Sequence, residues 1–217
     1  MKDYDAVVFD MDGVIFDSER AVINCWKIIA DKYGIPDIEE SCIKCTGTTE
    51  KKTREIMLYR YGDDFPYDEY KKEASRIYHE KYDDGRLPVK KGVKDILEYL
   101  KSHNKKIALA SSTRRQVVVQ ELKDAGFLDY FDELVCGDMV SRSKPEPDIF
   151  LKACEVLGVN PTKSYAIEDS YNGIRAAYAG KLMPIMVPDI LQADDEMKNL
   201  ADIILPDLNS VIEYLDK

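Results

Sequence analysis

The chain has 217 residues, 45% hydrophobic and 33% charged, enough for one sizeable core or for a core with a smaller companion domain. Its formal net charge is −10, which argues against a nucleic-acid binder with its customary basic face. No run approaches the ~18 consecutive apolar residues of a membrane span, so neither nucleic acid nor membrane is an expected partner. A small anion remains possible as a substrate, because a local positive pocket can sit inside a negative protein.

The opening MKDYDAVVFD carries acids where an export signal needs an apolar stretch, so a cytoplasmic protein is expected. The first predicted strand is Ala6–Phe9, and Asp10, Asp12 and Asp17 follow it closely. Carboxylates this dense repel one another unless something positive lies among them. From about residue 18 to 84 no strand pattern occurs. Val22, Cys25, Trp26, Ile29 and Tyr33 share one helical face, as do Tyr70, Ala74 and Ile77. Turn signals separate the helices at Gly34-Ile35-Pro36, Gly47, Gly62 and Pro66, and a further cluster at 83–88 ends the stretch.

Beyond it the pattern alternates. Further strands are predicted at Ile107–Ala110, Leu134–Cys136, Tyr165–Ile167, Met183–Val187 and Ile203–Leu205, none with polar alternation. Between them Val93, Ile96, Leu97 and Leu100 have helical spacing, as do Phe150, Ala153, Cys154 and Leu157, and Leu208, Val211, Ile212 and Leu215. Gly126 and Gly158 stand where helix C-caps are expected. Uninterrupted apolar strands separated by helices define a Rossmann-like parallel α/β sheet covered on both faces. The expected domains are a core of residues 1–17 and 85–217 and an inserted all-α cap of residues 18–84. An insert after the first strand lies where open α/β sheets bind ligands, a position suited to a lid. The five cysteines mostly fall inside apolar patterns. Cys42-x-x-Cys45 has no second pair, so reduced core thiols are expected.

In a parallel sheet the strand ends emerge on one edge. That edge would gather Asp10 and Asp12, Ser111 and Ser112, Glu168 and Asp169, with Lys144 ahead of the helix carrying Phe150. Four acids at Asp10, Asp12, Glu168 and Asp169 call for a hard divalent cation, and Mg²⁺ fits oxygen donors while leaving room for a phosphate oxygen. Lys144 and the Ser111 hydroxyl would face the other phosphate oxygens. Phosphoryl transfer then follows: Asp10 attacks phosphorus, and Asp12 gives and takes the proton. Two carboxylates in different roles need environments that split their pKa values.

Taken together, DMDGVIFDSE, ASS, SKPEPD and IEDSYNGI resemble, in order and spacing, the four motifs of the haloacid dehalogenase superfamily. Length and insert resemble its β-phosphoglucomutase-like subgroup, and the resemblance covers essentially the whole chain. It implies Asp10 as nucleophile, Asp12 as acid/base, and Ser111 and Lys144 as phosphate binders. It implies Mg²⁺ held by Asp10, Asp169 and the backbone carbonyl of Asp12, with Glu168 close by. A cis Lys144–Pro145 bond and a monomeric state are also implied. The second aspartate and the Glu168-Asp169 pair argue against a dehalogenase. The mutase of the subgroup carries a histidine in the first cap helix and an arginine in the cap loop, where this chain has Val22 and Gly47-Thr48-Thr49-Glu50. Thr113, Arg114 and Arg115 do resemble the mutase's distal-phosphate site.

The leading expectation is a Mg²⁺-dependent phosphatase acting on a small phosphorylated metabolite. A hexose-phosphate mutase is the runner-up, and a non-catalytic phospho-receiver module the third reading. Ser112, Arg114, Thr48 and Thr49 are weaker candidates for substrate contact. Ser18 and Ser170 read as helix N-caps, Lys51, Lys52 and Arg54 as an exposed helix face, and His79 and His103 as solvated.

Overall fold

A computed structural model of the chain describes residues 3–217. They form two compact units. One joins the chain up to Phe16 to Val89–Lys217, and the other is Asp17–Pro88.

The first unit is built on a parallel sheet of six strands among the described residues. They are β1 (Ala6–Phe9), β2 (Lys106–Ser111), β3 (Glu133–Cys136), β4 (Ser164–Glu168), β5 (Met183–Met186) and β6 (Ile203–Ile204), in the order β3-β2-β1-β4-β5-β6. Each sequence-predicted strand forms. The central β1 pairs with β2 from Ala6↔Lys106 to Phe9↔Leu109 and with β4 from Ala6↔Ser164 to Phe9↔Ile167. Strand order runs outward from β1 to β3, then returns to β4 on the other side. The crevice beyond the carboxyl ends of β1 and β4 is therefore the topological switch point, where such sheets take ligands.

Helices α5 (Val93–Ser102), α6 (Arg115–Asp124), α7 (Asp148–Leu157), α8 (Tyr171–Ala179), α9 (Asp195–Leu200) and α10 (Leu208–Leu215) belong to this unit. On one side, α7 buries Ile149, Phe150, Ala153, Cys154 and Leu157 against Ala6, Val8, Ala108, Ala110 and Val135. The strand alanines keep that surface shallow, so the helix approaches closely and Phe150 is fully buried. Full burial of such a ring contributes about 1.5–3 kcal/mol. Gly158, with φ +64°, ends α7: its N–H reaches Glu155 O, and the Val159 N–H reaches Cys154 O. Gly126 follows α6 in the same way, one residue beyond its cap Ala125.

The second unit contains α1 (Ser18–Tyr33), α2 (Ile38–Cys45), α3 (Glu50–Tyr61) and α4 (Tyr67–Tyr82). Its limits are wider than the expected 18–84. Leu87 is buried, and the Asp17 N–H bonds Pro88 O at 2.8 Å, so both connecting segments belong to it. On α1 the expected face is buried at Cys25, Trp26 and Ile29, but Val22 and Tyr33 stay 42% and 45% exposed. Both lie in the right direction where packing partners run out. Val22 opens onto a cavity of about 480 Å³ walled by Trp26 and Tyr67, and Tyr33 stacks on Tyr70 at 4.8 Å. Ser18 is not the α1 cap: Asp17 holds that position, its side chain making no capping bond and lying 3.4 Å from the Arg20 guanidinium, and Ser18 is the buried first residue. All five cysteines are free thiols, and burial pushes Cys42 up to about 12. No helix among the described residues is long and apolar enough to cross a membrane.

Candidate active site

Where β1 runs out, the Asp10 N–H still bonds Ile167 O at 2.9 Å, so Asp10 sits beside the end of β4 and is only 6% exposed. The chain then turns tightly. Ile15 and Phe16 both donate backbone N–H to Met11 O, and Gly13 donates to Phe16 O. Gly13 has φ +78°, and a Cβ there would lie 2.2 Å from Asp169 Oδ2. Only glycine lets the loop rest against that carboxylate.

Lys144 precedes α7, and its side chain is 8% exposed. The ammonium spends its donors on Asp10 Oδ1 at 2.5 Å, Glu168 Oε1 at 2.6 Å and Ala110 O at 3.0 Å. The ring of Phe150 lies 5.1 Å from it. The Lys144–Pro145 peptide is cis. Glu168 has no exposed surface, and its second oxygen is equally engaged. Oε2 accepts from Asp169 N at 3.1 Å, Ser170 N at 3.0 Å and Ser170 Oγ at 2.9 Å. Ser170 caps α8 as expected, accepting from Gly173 N at 3.1 Å. A Cβ on Gly173 would fall 1.8 Å from the Glu168 carboxylate.

Asp10, Glu168 and Asp169 each offer an oxygen within 4.8 Å of the others. Burial raises the Asp10 carboxyl well above the ordinary range. Lys144 opposes that rise, while Glu168 and Asp12 add to it. Burial disfavours the Lys144 ammonium, yet Asp10 and Glu168 outweigh it and keep the lysine charged. One ammonium thus serves two of three clustered, buried carboxylates. An all-oxygen donor set short of positive charge fits a hard divalent cation.

Asp12 does not join this trio through its carboxylate. It is half-buried, and its Oδ2 accepts from Thr113 Oγ1 at 3.2 Å. Ser111 ends β2 fully buried, its Oγ accepting from Thr113 N at 3.1 Å, which leaves the hydroxyl proton to donate. Ser112 and Arg114 are exposed on the loop before α6. Arg115 is turned away: its guanidinium donates to Leu134 O at 3.1 Å and its backbone N–H to Asp138. Thr48 and Thr49 lie in the helical unit and have local work. Thr48 Oγ1 donates to Cys45 O at 2.8 Å, and Thr49 caps α3 by accepting from Lys52 N. Sequence reasoning did not find the pairing of Lys144 with Glu168, nor that of Thr113 with Asp12. Both link residues far apart in the chain, and only their place at strand ends hinted at them.

The haloacid dehalogenase-like hydrolase profile matches residues 7–187. A phosphorylated carbohydrates phosphatase of Thermotoga maritima is 34% identical over 177 residues, covering 80% of each chain. The β-phosphoglucomutase of Bacillus subtilis is 31% identical over 211 residues, covering 92% of each. The crystal structure of β-phosphoglucomutase from Clostridium difficile shares 25% identity at a TM-score of 0.72, covering 98% of this chain and 96% of that one. The chain belongs to the haloacid dehalogenase-like hydrolases, and among them it resembles the β-phosphoglucomutase-like proteins.

Proposed function

We propose that the protein is a magnesium-dependent phosphatase of a small phosphorylated metabolite, a sugar phosphate before others, acting through an aspartyl phosphate on Asp10. The observation that carries the reading is the Lys144 ammonium shared between Asp10 Oδ1 and Glu168 Oε1 at 2.5 and 2.6 Å, in a buried cluster of acids at the ends of parallel strands. The name of the Thermotoga maritima relative supports the carbohydrate ester.

In this reading Asp10 attacks phosphorus in line, forming one P–O bond as the bond to the leaving oxygen breaks. Asp12 hands that oxygen a proton, so the product departs as an alcohol. Water then attacks the same phosphorus and gives a proton to Asp12, freeing inorganic phosphate and the Asp10 carboxylate. Lys144 and the Ser111 hydroxyl bind the non-bridging oxygens. Asp10, Asp169 and the Asp12 carbonyl would hold the magnesium, with Glu168 beside them. When bound, it supplies the positive charge that keeps Asp10 ionised and offsets the phosphate. Ser112 and Arg114 before α6, and Thr48 and Thr49 in the helical unit, are the proposed contacts for the rest of the substrate.

The identity with the Bacillus subtilis mutase favours a hexose-phosphate mutase as the second reading. Val22 and the arginine-free Gly47–Glu50 loop weigh against it. Incubation with β-glucose 1-phosphate and a trace of the bisphosphate separates the two. Inorganic phosphate should appear faster than glucose 6-phosphate, should vanish with EDTA and should return with Mg²⁺. Faster isomerisation would establish the mutase, and a single phosphorylation without turnover would establish a receiver.

A further inference from the structure

We propose that Thr113 is the positioning residue of the proton-transferring carboxylate. Its hydroxyl holds Asp12 by Oδ2, so that Oδ1 is the oxygen that exchanges the proton. The inference rests on the reading of Asp12 as the acid/base.

Thr113 is itself fixed before it fixes anything. Its N–H donates to Ser111 Oγ at 3.1 Å, and its carbonyl accepts from Gly137 N at 3.0 Å. The preceding carbonyl, that of Ser112, presses on Gly137 so closely that a Cβ there would lie 2.1 Å from it. The segment Ser111-Ser112-Thr113 is therefore clamped to β2 on one side and to the chain after β3 on the other. Threonine adds stiffness of its own, because its branched Cβ restricts χ1. From this support Oγ1 reaches Asp12 Oδ2 at 3.2 Å, across 101 positions of sequence.

A carboxyl group turns easily about its last bond, since that torsion is broad and its two oxygens are equivalent. A donor fixed on one oxygen removes both freedoms. It sets the plane of the group and assigns the other oxygen to proton exchange, and such orientation is a large part of what a general acid supplies. The bond has little bearing on the attack by Asp10. Its effect should therefore appear where the leaving oxygen needs a proton and disappear where it does not.

The test uses Thr113→Val and Thr113→Ser in the full-length protein. The rate of enzyme phosphorylation is measured in the burst phase with an alkyl phosphate and with p-nitrophenyl phosphate, whose phenolate leaves unprotonated. Thr113→Val should slow the alkyl ester roughly tenfold to a hundredfold, leave the p-nitrophenyl ester unchanged within error, and be rescued by Thr113→Ser. Thr113→Ala, which adds no bulk, carries the same expectation should valine unfold the loop. Equal losses on both esters, or none, overturn the inference. Asp12→Ala is run beside them. If it shows no contrast between the esters, the reading of Asp12 itself fails. If it shows the contrast and the Thr113 variants do not, only the role of Thr113 fails.

Discussion

At the scale of single residues, Lys144 bears the heaviest electrostatic duty. Its ammonium is the counter-ion of two buried carboxylates, and its contacts with Asp10 and Glu168 are both shorter than 2.7 Å. Removing one partner of such a group leaves uncompensated charge, which typically costs about 3–5 kcal/mol. Lys144→Met should lose that much in urea denaturation at neutral pH, along with activity; an unchanged midpoint would mean that the lysine is a solvated side chain after all. The sequence made Lys144 legible through its flanking prolines and its place before α7. It did not reveal that Lys144 engages Glu168 Oε1, because a hydrogen bond between residues 24 apart leaves no local spacing to read. The same holds for Thr113 and Asp12.

At the scale of elements, the sheet was legible because its strands are apolar on both faces, and even the two-residue β6 stands out as Ile203-Ile204. What did not show was how the elements are tied at their ends. Asp132 is such a tie: its carboxylate accepts the Ile107 N–H at 2.7 Å and pairs with Lys101 at 2.8 Å, joining the start of β2 to α5 and to the segment before β3. Burial tends to raise its pKa, but Lys101 and the Ile107 N–H outweigh that and leave it lowered. A lowered carboxylate stabilises the fold above its unfolded value of about 4. That contribution is lost as pH falls through the folded value. Asp132→Asn should therefore destabilise near neutrality and flatten the acid limb of stability against pH; a limb of unchanged slope would remove Asp132 from the account. The ends of α1 show the limit of periodicity from the other side. Val22 and Tyr33 have the correct angular position yet remain exposed, since a pattern of spacing does not say where neighbouring helices stop.

At the scale of the whole molecule, a chain of net charge −10 collects Asp10, Glu168 and Asp169 in one buried group of its sheet unit. Folding brings these acids together, so a cation that joins them binds the folded state and stabilises it by mass action, about 2.7 kcal/mol at a hundred times its dissociation constant. Mg²⁺ should raise the melting temperature relative to EDTA, and Asp169→Asn should abolish the rise. An equal rise in that variant would place the ion elsewhere.

The proposed covalent step can be tested directly. The protein is mixed with a phosphorylated substrate and Mg²⁺, quenched in acid within the first turnovers, digested and weighed by mass spectrometry. The account predicts one phosphoryl group on the peptide containing Asp10, and none in Asp10→Asn. Steady release of phosphate with Asp10 never modified, or with the label on another residue, would contradict it.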